Sequence, residues 1–161
     1  MDRLGIRYEG KYEQPAYQTH GSACFDLRAE DGSPADEYYR PGGTVGSWIL
    51  PPQVPVKIPT GCYLICNRSY KSEWRLPALK VSPRSSLAAK HKIGMLNSPA
   101  TIDADYKDQI HVILINHGDN VVELPAGERI AQAEQIEVIR LFGVEVLDVE
   151  RKGGFGSTGG R

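Results

Sequence analysis

The sequence predicts a single, mainly β domain, built as a sandwich or barrel of short strands with one short helix. The chain has 161 residues, which is the length of about one domain. Its 17 glycines and 11 prolines are spread along the whole length and divide it into short segments. Several of these segments are apolar or alternate between apolar and polar residues, a pattern that favours strands separated by turns.

Five segments have the residue pattern of strands. In one of them, Ile136 and Val138 alternate with charged and amide residues, so this strand is predicted to have one wet face. The segment 109–116 is apolar on both faces, and we expect it to lie between layers or at a contact between subunits. In chain order, the predicted strands are VPVKI at 54–58, CYLIC at 62–66, QIHVILIN at 109–116, AEQIEVIRL at 133–141 and VEVLDV at 144–149.

The remaining segments are predicted as one helix, two surface loops and a terminal arm. The helix is SSLAAKHK at 85–92, with Ser85 or Ser86 available as its N-cap. The polar segments 29–47 and 67–78 are predicted as loops. Residues 150–161, ERKGGFGSTGGR, are glycine-rich, and glycine loses the most backbone entropy on ordering and has no side chain to pack. We therefore predict a flexible arm after a β domain that spans residues 1–149.

The composition excludes several classes of function. A formal charge of −1 gives no reason to expect binding to nucleic acid or to an anionic membrane. The N-terminus lacks the apolar run of a signal peptide, and no segment has the ~18 apolar residues that a membrane span needs. The three cysteines lack metal-site spacing, as do the histidines, so we expect free thiols, a cytoplasmic location and no histidine metal site.

Two polar segments are candidates for binding an anion or a cation. Asp26 stands in the strand-like run GSACFDLRA at 21–29, where an inward carboxylate needs a partner and an outward one does not. In SPRSSLA at 82–88, Arg84 and two serines stand at the predicted helix start, an arrangement that favours phosphate. An ordinary N-cap is the alternative for the second segment.

Two further segments are candidates for catalysis and substrate contact. NSPATIDADYKDQI at 97–110 places Asp103, Asp105 and Tyr106 on a turn, with the two aspartates facing one way and the tyrosine the other unless the turn breaks the alternation. A carboxylate here can deprotonate a water, and the ring can stack on a flat ligand, although a solvated turn has the same composition. PAGERIAQ at 125–132 carries Arg129 and Gln132 into a strand, which also fits a plain hairpin.

Taken in order, five segments resemble the motifs of the trimeric dUTPase family, the deoxyuridine triphosphate nucleotidohydrolases. They are SACFDLRA, PRSSLA, IDADY, GERIAQ and GGFGSTG, and the resemblance runs from about residue 21 to the last residue. It implies hydrolysis of dUTP to dUMP and pyrophosphate with Mg²⁺, which keeps uracil out of DNA and supplies dUMP for dTMP synthesis. It also implies a jelly-roll-like β fold and a homotrimer with active sites between its subunits.

The resemblance implies a role for each matching residue of the β domain. Asp103 would activate the attacking water, Tyr106 would exclude a ribose 2′-hydroxyl, and Asn97 would read the uracil edge. Asp26 would act on the magnesium ion through water. The residues that would hold phosphate oxygens are Arg84, Ser85, Ser86 and Gln132.

The resemblance also gives the arm a function as a lid. Phe155 would stack over the uracil, with glycines such as Gly156 allowing a close fit, while Ser157 and Thr158 would reach phosphates. The arginine that the family uses for the γ-phosphate would stand at Glu150, so Arg151 is expected to take its place. The chain also has Ala100 and Asp108 where the family usually has glycine.

Two other functions fit parts of the pattern. A dCTP deaminase, or a combined deaminase and diphosphatase, has the same core pattern, but the IDADY region has no spare glutamate for deamination and the GGFGSTG arm favours the diphosphatase. A trimer that senses dUTP or a protein partner without turnover is the second alternative. The presence of Asp103 favours an enzyme.

Overall fold

The computed structural model describes residues 4–43, 45–66 and 74–145, which form a mainly β domain with one short helix, as predicted. The helix, α1, is Ser85–His91. The strands within the described ranges are β1 Leu4–Tyr8, β2 Phe25–Arg28, β3 Tyr39–Arg40, β4 Ser47–Leu50, β5 Pro55–Cys66, β6 Arg75–Pro83, β7 Ile93–Met95, β8 Ala100–Asp103, β9 Gln109–Asn116, β10 Val122–Pro125 and β11 Arg129–Ile139.

The strands form three antiparallel sheets around one apolar core. Their orders are β1-β5-β9-β7, β10-β4-β3 and β2-β11-β6-β8. In the third sheet, side chains such as Leu27, Ala131 and Val81 alternate inward and pack with Ile58 and Val112 of the first sheet. Each large apolar side chain buried in this way contributes about 1.5–3 kcal/mol, so the core holds the outward-facing polar positions of the third sheet in a fixed register.

The predicted strands are found with changed boundaries. Segments 54–58 and 62–66 form the single strand β5, whose pairing with β9 is irregular between Pro59 and Tyr63, where Gly61 adopts φ +66°. The strand 109–116 is confirmed as β9, and the segment predicted at 133–141 starts earlier and ends at Ile139. In the predicted strand 144–149, residues 144 and 145 are not in a strand, and residues 146–149 lie outside the described part of the chain.

Two predictions about loops were wrong in part. The predicted loop 29–47 contains β3, and the predicted loop 67–78 contains the start of β6, while residues 67–73 lie outside the described residues. In the sequence, Pro77 and Pro83 argue against a central strand at this segment, because proline has no N–H group to donate a hydrogen bond to a neighbouring strand. In the structure they flank residues 78–81, the part of β6 that is paired on both sides, so no ladder bond on the β8 side is lost.

The helix begins as predicted, but the prediction of its cap was wrong. Arg84 is the N-cap, with an extended backbone at φ −89° and ψ 132°, and its side chain makes no capping hydrogen bond. Ser85 and Ser86 are therefore the first two helical residues rather than the cap. Among the described residues, no helix is long and apolar enough to cross a membrane.

Candidate active site

Three of the predicted motifs meet on the outer face of the β2-β11-β6-β8 sheet. Asp26 on β2 lies opposite Gln132 on β11, and Gln132 lies opposite Ser82 on β6. Directly opposed residues of antiparallel strands share one face, so these side chains form a row that leads to Arg84 just after β6. The Gln132 side chain donates from Nε2 to the Pro83 carbonyl at 3.2 Å, which ties β11 to the segment that carries Arg84.

Asp26 faces outward, as its position between buried Phe25 and Leu27 requires, and it is nevertheless paired. The Nε of Arg84 lies 3.1 Å from Oδ1 of Asp26, and Nη1 of Arg129 donates to Oδ2 at 3.1 Å. The Asp26 side chain is only 14% exposed, because the two guanidinium groups cover it. Two cations around one carboxylate leave a net positive charge in this cluster, which suits an anionic ligand.

Arg129 was not predicted as a site residue, although it stands in the predicted segment PAGERIAQ. Its guanidinium holds Asp26, and its main-chain carbonyl accepts a hydrogen bond of 3.1 Å from Nη1 of Arg84. Its place three residues before Gln132, on the same strand, is the signal that could have found it. Its pairing with a residue 103 positions away could not be read from the sequence.

The two serines lie next to the positive cluster. Ser85 is exposed and Ser86 is half-buried, both in the first turn of α1 beside Arg84. The helix has only 7 residues. Anion binding at this end therefore rests on the Arg84 charge and the hydroxyl groups rather than on the helix itself.

Asp103, Tyr106 and Asn97 lie on a second part of the domain. Asn97 is exposed in the turn between β7 and β8, and Asp103 is exposed at the end of β8. The Tyr106 amide donates to the Asp103 carbonyl at 3.0 Å, closing a turn, and the tyrosine ring is 7% exposed in the core. Its hydroxyl donates to the Gln109 carbonyl at 3.1 Å. Asp103 and Asp105 are exposed and Tyr106 is buried, but β8 ends at Asp103 and residues 104–105 form a turn, so this difference does not come from the period-two alternation of a strand.

Within one chain, Asp103 is far from the positive cluster. Asp103 lies opposite Ala78 on β6, whereas Gln132 lies opposite Ser82, four residues further along that strand. The two residues are also two strand spacings apart in the order β11-β6-β8. A rise of about 3.3 Å per residue and a spacing of about 4.8 Å between strands put their Cα atoms about 16 Å apart. A single chain therefore does not bring the predicted base to the predicted phosphate ligands.

The two departures from glycine in this region cause no backbone strain. Among the described non-glycine residues, only Gln53 and Lys92 have a positive φ. Ala100 and Asp108 therefore adopt conformations open to any residue, and Ala100 pairs with Val81 in the β8 ladder.

The remaining predicted site residues are in the C-terminal segment. Arg151, Phe155, Gly156, Ser157 and Thr158 all lie outside the described residues. The described residues include no group of three or more His, Cys, Asp or Glu side chains that could hold a metal ion.

Comparisons of the sequence with known proteins agree on one family. The sequence profile of the family described as dUTPase matches residues 46–159. The chain is 39% identical over 149 residues to the deoxyuridine 5′-triphosphate nucleotidohydrolase of Wolinella succinogenes, covering 90% of this chain and 85% of that protein. It is 41% identical over 149 residues to the protein of the same name from Beijerinckia indica, covering 90% and 82% of the two chains.

Solved structures show the same fold. The crystal structure of dUTPase from Streptococcus mutans superposes with a TM-score of 0.63 at 22% identity, covering 86% of this chain and 99% of that one. A mutant dUTPase of the Staphylococcus aureus phage phi11, described as coordinating a structural Mg(II) ion, gives a TM-score of 0.63 at 14% identity, covering 93% and 99%. The predicted jelly-roll-like β fold is confirmed by these similarities.

Proposed function

The chain belongs to the dUTPase family, and we propose that it hydrolyses dUTP to dUMP and pyrophosphate. The observation that carries the proposal is the meeting of Asp26 and Gln132, on neighbouring strands, with Arg84, which directly follows the next strand. This activity would keep uracil out of DNA and supply dUMP for dTMP synthesis. The related hydrolases support it over a deaminase or a binding protein.

The triphosphate would bind at the positive cluster. Arg84 is an arginine with a fixed orientation, since both Asp26 and the Arg129 carbonyl hold its guanidinium. Charge-assisted hydrogen bonds from a guanidinium to phosphate are among the strongest that proteins make. Ser85 and Ser86 would add hydroxyl donors, and Gln132 would donate from its amide to a phosphate oxygen.

The deoxyuridine would bind at the connection between β7 and β8 and at the turn that follows β8. Asn97 is exposed in this connection, where its amide can pair with the uracil edge. The Tyr106 ring is held in the core by burial and by its hydrogen bond to Gln109, so it would form a rigid wall against a 2′-hydroxyl. Asp103 would take the proton of the water that attacks phosphorus, because a positioned carboxylate can act as a general base and this one is exposed.

We propose a homotrimer with shared sites, which the separation within one chain supports. A general base must lie within hydrogen-bond reach of the attacking water, and therefore a few ångströms from the phosphorus. The separation of about 16 Å between Asp103 and Gln132 of one chain does not meet this requirement. Asp103 of one subunit would instead face the positive cluster of a neighbour.

The residues of the cluster fit magnesium only as a partner of the substrate. Mg²⁺ keeps several waters and is commonly bound through one or two carboxylates together with phosphates. Both oxygens of Asp26 are engaged by arginines, and the described residues offer no carboxylate cluster, so the phosphates would supply the direct ligands. Asp26 would reach a water of the ion. When bound, the ion neutralises charge on the triphosphate.

The arm and the location of the protein complete the proposal. The arm, residues 150–161, follows the β domain of residues 1–149 and would close over an active site. Phe155 would then stack on the uracil. Arg151, Ser157 and Thr158 would contact the phosphates, and Gly156 would allow the arm to fit closely against the ligand. We also propose a cytoplasmic location, supported by the absence of disulfides among Cys24, Cys62 and Cys66.

The proposal is tested by incubating the protein with dUTP, dCTP, dTTP and UTP in the presence of Mg²⁺. Release of pyrophosphate and of ammonia is measured for each nucleotide. We expect pyrophosphate from dUTP, with kcat/KM up to ~10⁴-fold above the other nucleotides, because a wrong base or sugar leaves buried polar groups unpaired. A kcat/KM for dCTP, dTTP or UTP that is comparable with that for dUTP would refute the assignment. Ammonia from dCTP would indicate a deaminase, and tight binding without turnover a sensor.

A further inference from the structure

The Asp26 carboxylate is shared by two arginines that approach it from different strands. Arg84, just after β6, contacts Oδ1 through Nε, and Arg129, at the start of β11, contacts Oδ2 through Nη1, each at 3.1 Å. Arg129 thus occupies the oxygen that Arg84 would need for a two-point pair.

Because Asp26 is shared with Arg129, it engages fewer of the N–H donors of Arg84. A guanidinium has five N–H groups and typically binds a lone carboxylate with two parallel hydrogen bonds. Here Nε of Arg84 forms an ion pair with Asp26, and Nη1 donates a hydrogen bond to the Arg129 carbonyl. Its Nη2 group makes no hydrogen bond with the described residues, and the side chain is still 17% exposed. Arg84 is therefore oriented and yet able to bind a further anion.

The exposures distinguish the tasks of the two arginines. The Arg129 side chain is 37% exposed, against 17% for Arg84. Asp26 is the only side chain among the described residues with which Arg129 forms an ion pair or a hydrogen bond. This pair lies on the outer face of the sheet and not in the core.

We propose that Arg129 is a positioning residue for the triphosphate: it holds one oxygen of Asp26, so that Asp26 does not close on Arg84 as a two-point ion pair. The side chain of Arg129 fixes the carboxylate and its carbonyl fixes the guanidinium. The cluster then keeps a net charge of +1, from two arginines and one aspartate. This inference rests on the proposed function, because it takes a nucleotide triphosphate as the ligand.

The net charge of the cluster in different variants predicts their relative affinity for the triphosphate. Arg129→Gln brings the cluster to zero, Asp26→Asn brings it to +2, and the double variant returns it to +1. Affinity should follow this charge for a ligand with three phosphates and much less for dUMP, which has one phosphate. A merely structural role of Arg129 would weaken both ligands alike.

The experiment measures binding of α,β-imido-dUTP and of dUMP to the full-length protein by calorimetry, with EDTA and with Mg²⁺. In EDTA, we expect Arg129→Gln to weaken the imido analogue by at least about tenfold and dUMP by less than about threefold. Asp26→Asn should bind the analogue more tightly than wild type in EDTA. The double variant should return toward wild-type affinity, and Arg129→Lys should recover part of the loss through its charge alone.

Arg75→Gln is the matched control. Arg75 on β6 pairs with Glu137 on β11 at 2.7 Å, at the end of β11 that is far from Arg129. We expect wild-type binding from it. Equal losses for both ligands in Arg129→Gln, or no loss, would overturn the inference, as would Asp26→Asn binding that is no tighter than wild type. The last measurement decides the matter even if Arg129→Gln does not fold. Hydrolysis of dUTP by the wild type separately reports on the proposed function.

Discussion

A mixing experiment tests whether each active site draws residues from two chains. One chain carries Asp103→Asn, which keeps the shape of the side chain but removes the proton acceptor. The other carries Arg84→Gln, which removes the phosphate-binding cation. Both variants should fold, because Asp103 is exposed at the end of β8 and Asp26 keeps Arg129 as a partner. Alone, Asp103→Asn should lower kcat about 10²–10⁴-fold with nucleotide affinity near wild type.

The activity expected from mixed trimers follows from the separation between Asp103 and the positive cluster. Because Asp103 and Gln132 of one chain lie about 16 Å apart, a working site would take the base from one subunit and the positive cluster from another. In trimers assembled at random from equal amounts of the two variants, half of the sites have an intact Asp103, and half have an intact Arg84. About a quarter of the sites then have both intact, so about a quarter of wild-type activity should return.

The assay needs proof that subunits have exchanged. The two variants are refolded together, one with a mass tag, and native mass spectrometry counts the mixed trimers. Pyrophosphate release from dUTP is then compared with that of the two variants refolded separately and mixed afterwards. Activity equal to the sum of the parents, in a sample where mixed trimers are present, would refute the shared site and show that one chain holds a complete one.

Two further predictions concern the arm and the acid sensitivity of the fold. Deletion of residues 151–161 should leave trimer formation and thermal unfolding unchanged but lower kcat/KM steeply. Phe155→Ala should lose about 1–3 kcal/mol of stacking, whereas Phe155→Trp should retain much of the activity. A fully active truncation would contradict the function of the arm as a lid. Burial tends to raise the pKa of Asp31, but hydrogen bonds from Lys11 and two tyrosines lower it below its usual value. The charged form therefore stabilises the fold above about pH 4 and less at lower pH. The Tm difference between wild type and Asp31→Asn should shrink between about pH 5 and pH 2, and a constant difference would contradict this.

The sequence by itself determined the features that depend on neighbouring residues. The apolar run at 109–116 predicted β9 with its boundaries, and the SSLAAKHK segment predicted α1 with one residue too many at its end, because strand and helix patterns depend on consecutive side chains. The order of the five motifs, GGFGSTG among them, indicated the family before any contact was known.

Only the tertiary structure decided which distant residues meet. The proline-containing segment 75–83 is a strand because β11 and β8 pair with it, and its own residues argue against that state. Asp26 is held by Arg129, which is 103 positions away, and no local pattern specifies that register. The separation of Asp103 from the positive cluster likewise depends on how β6 aligns with its two neighbours. Register between strands is set by packing of the whole core, so it cannot be read from one segment at a time.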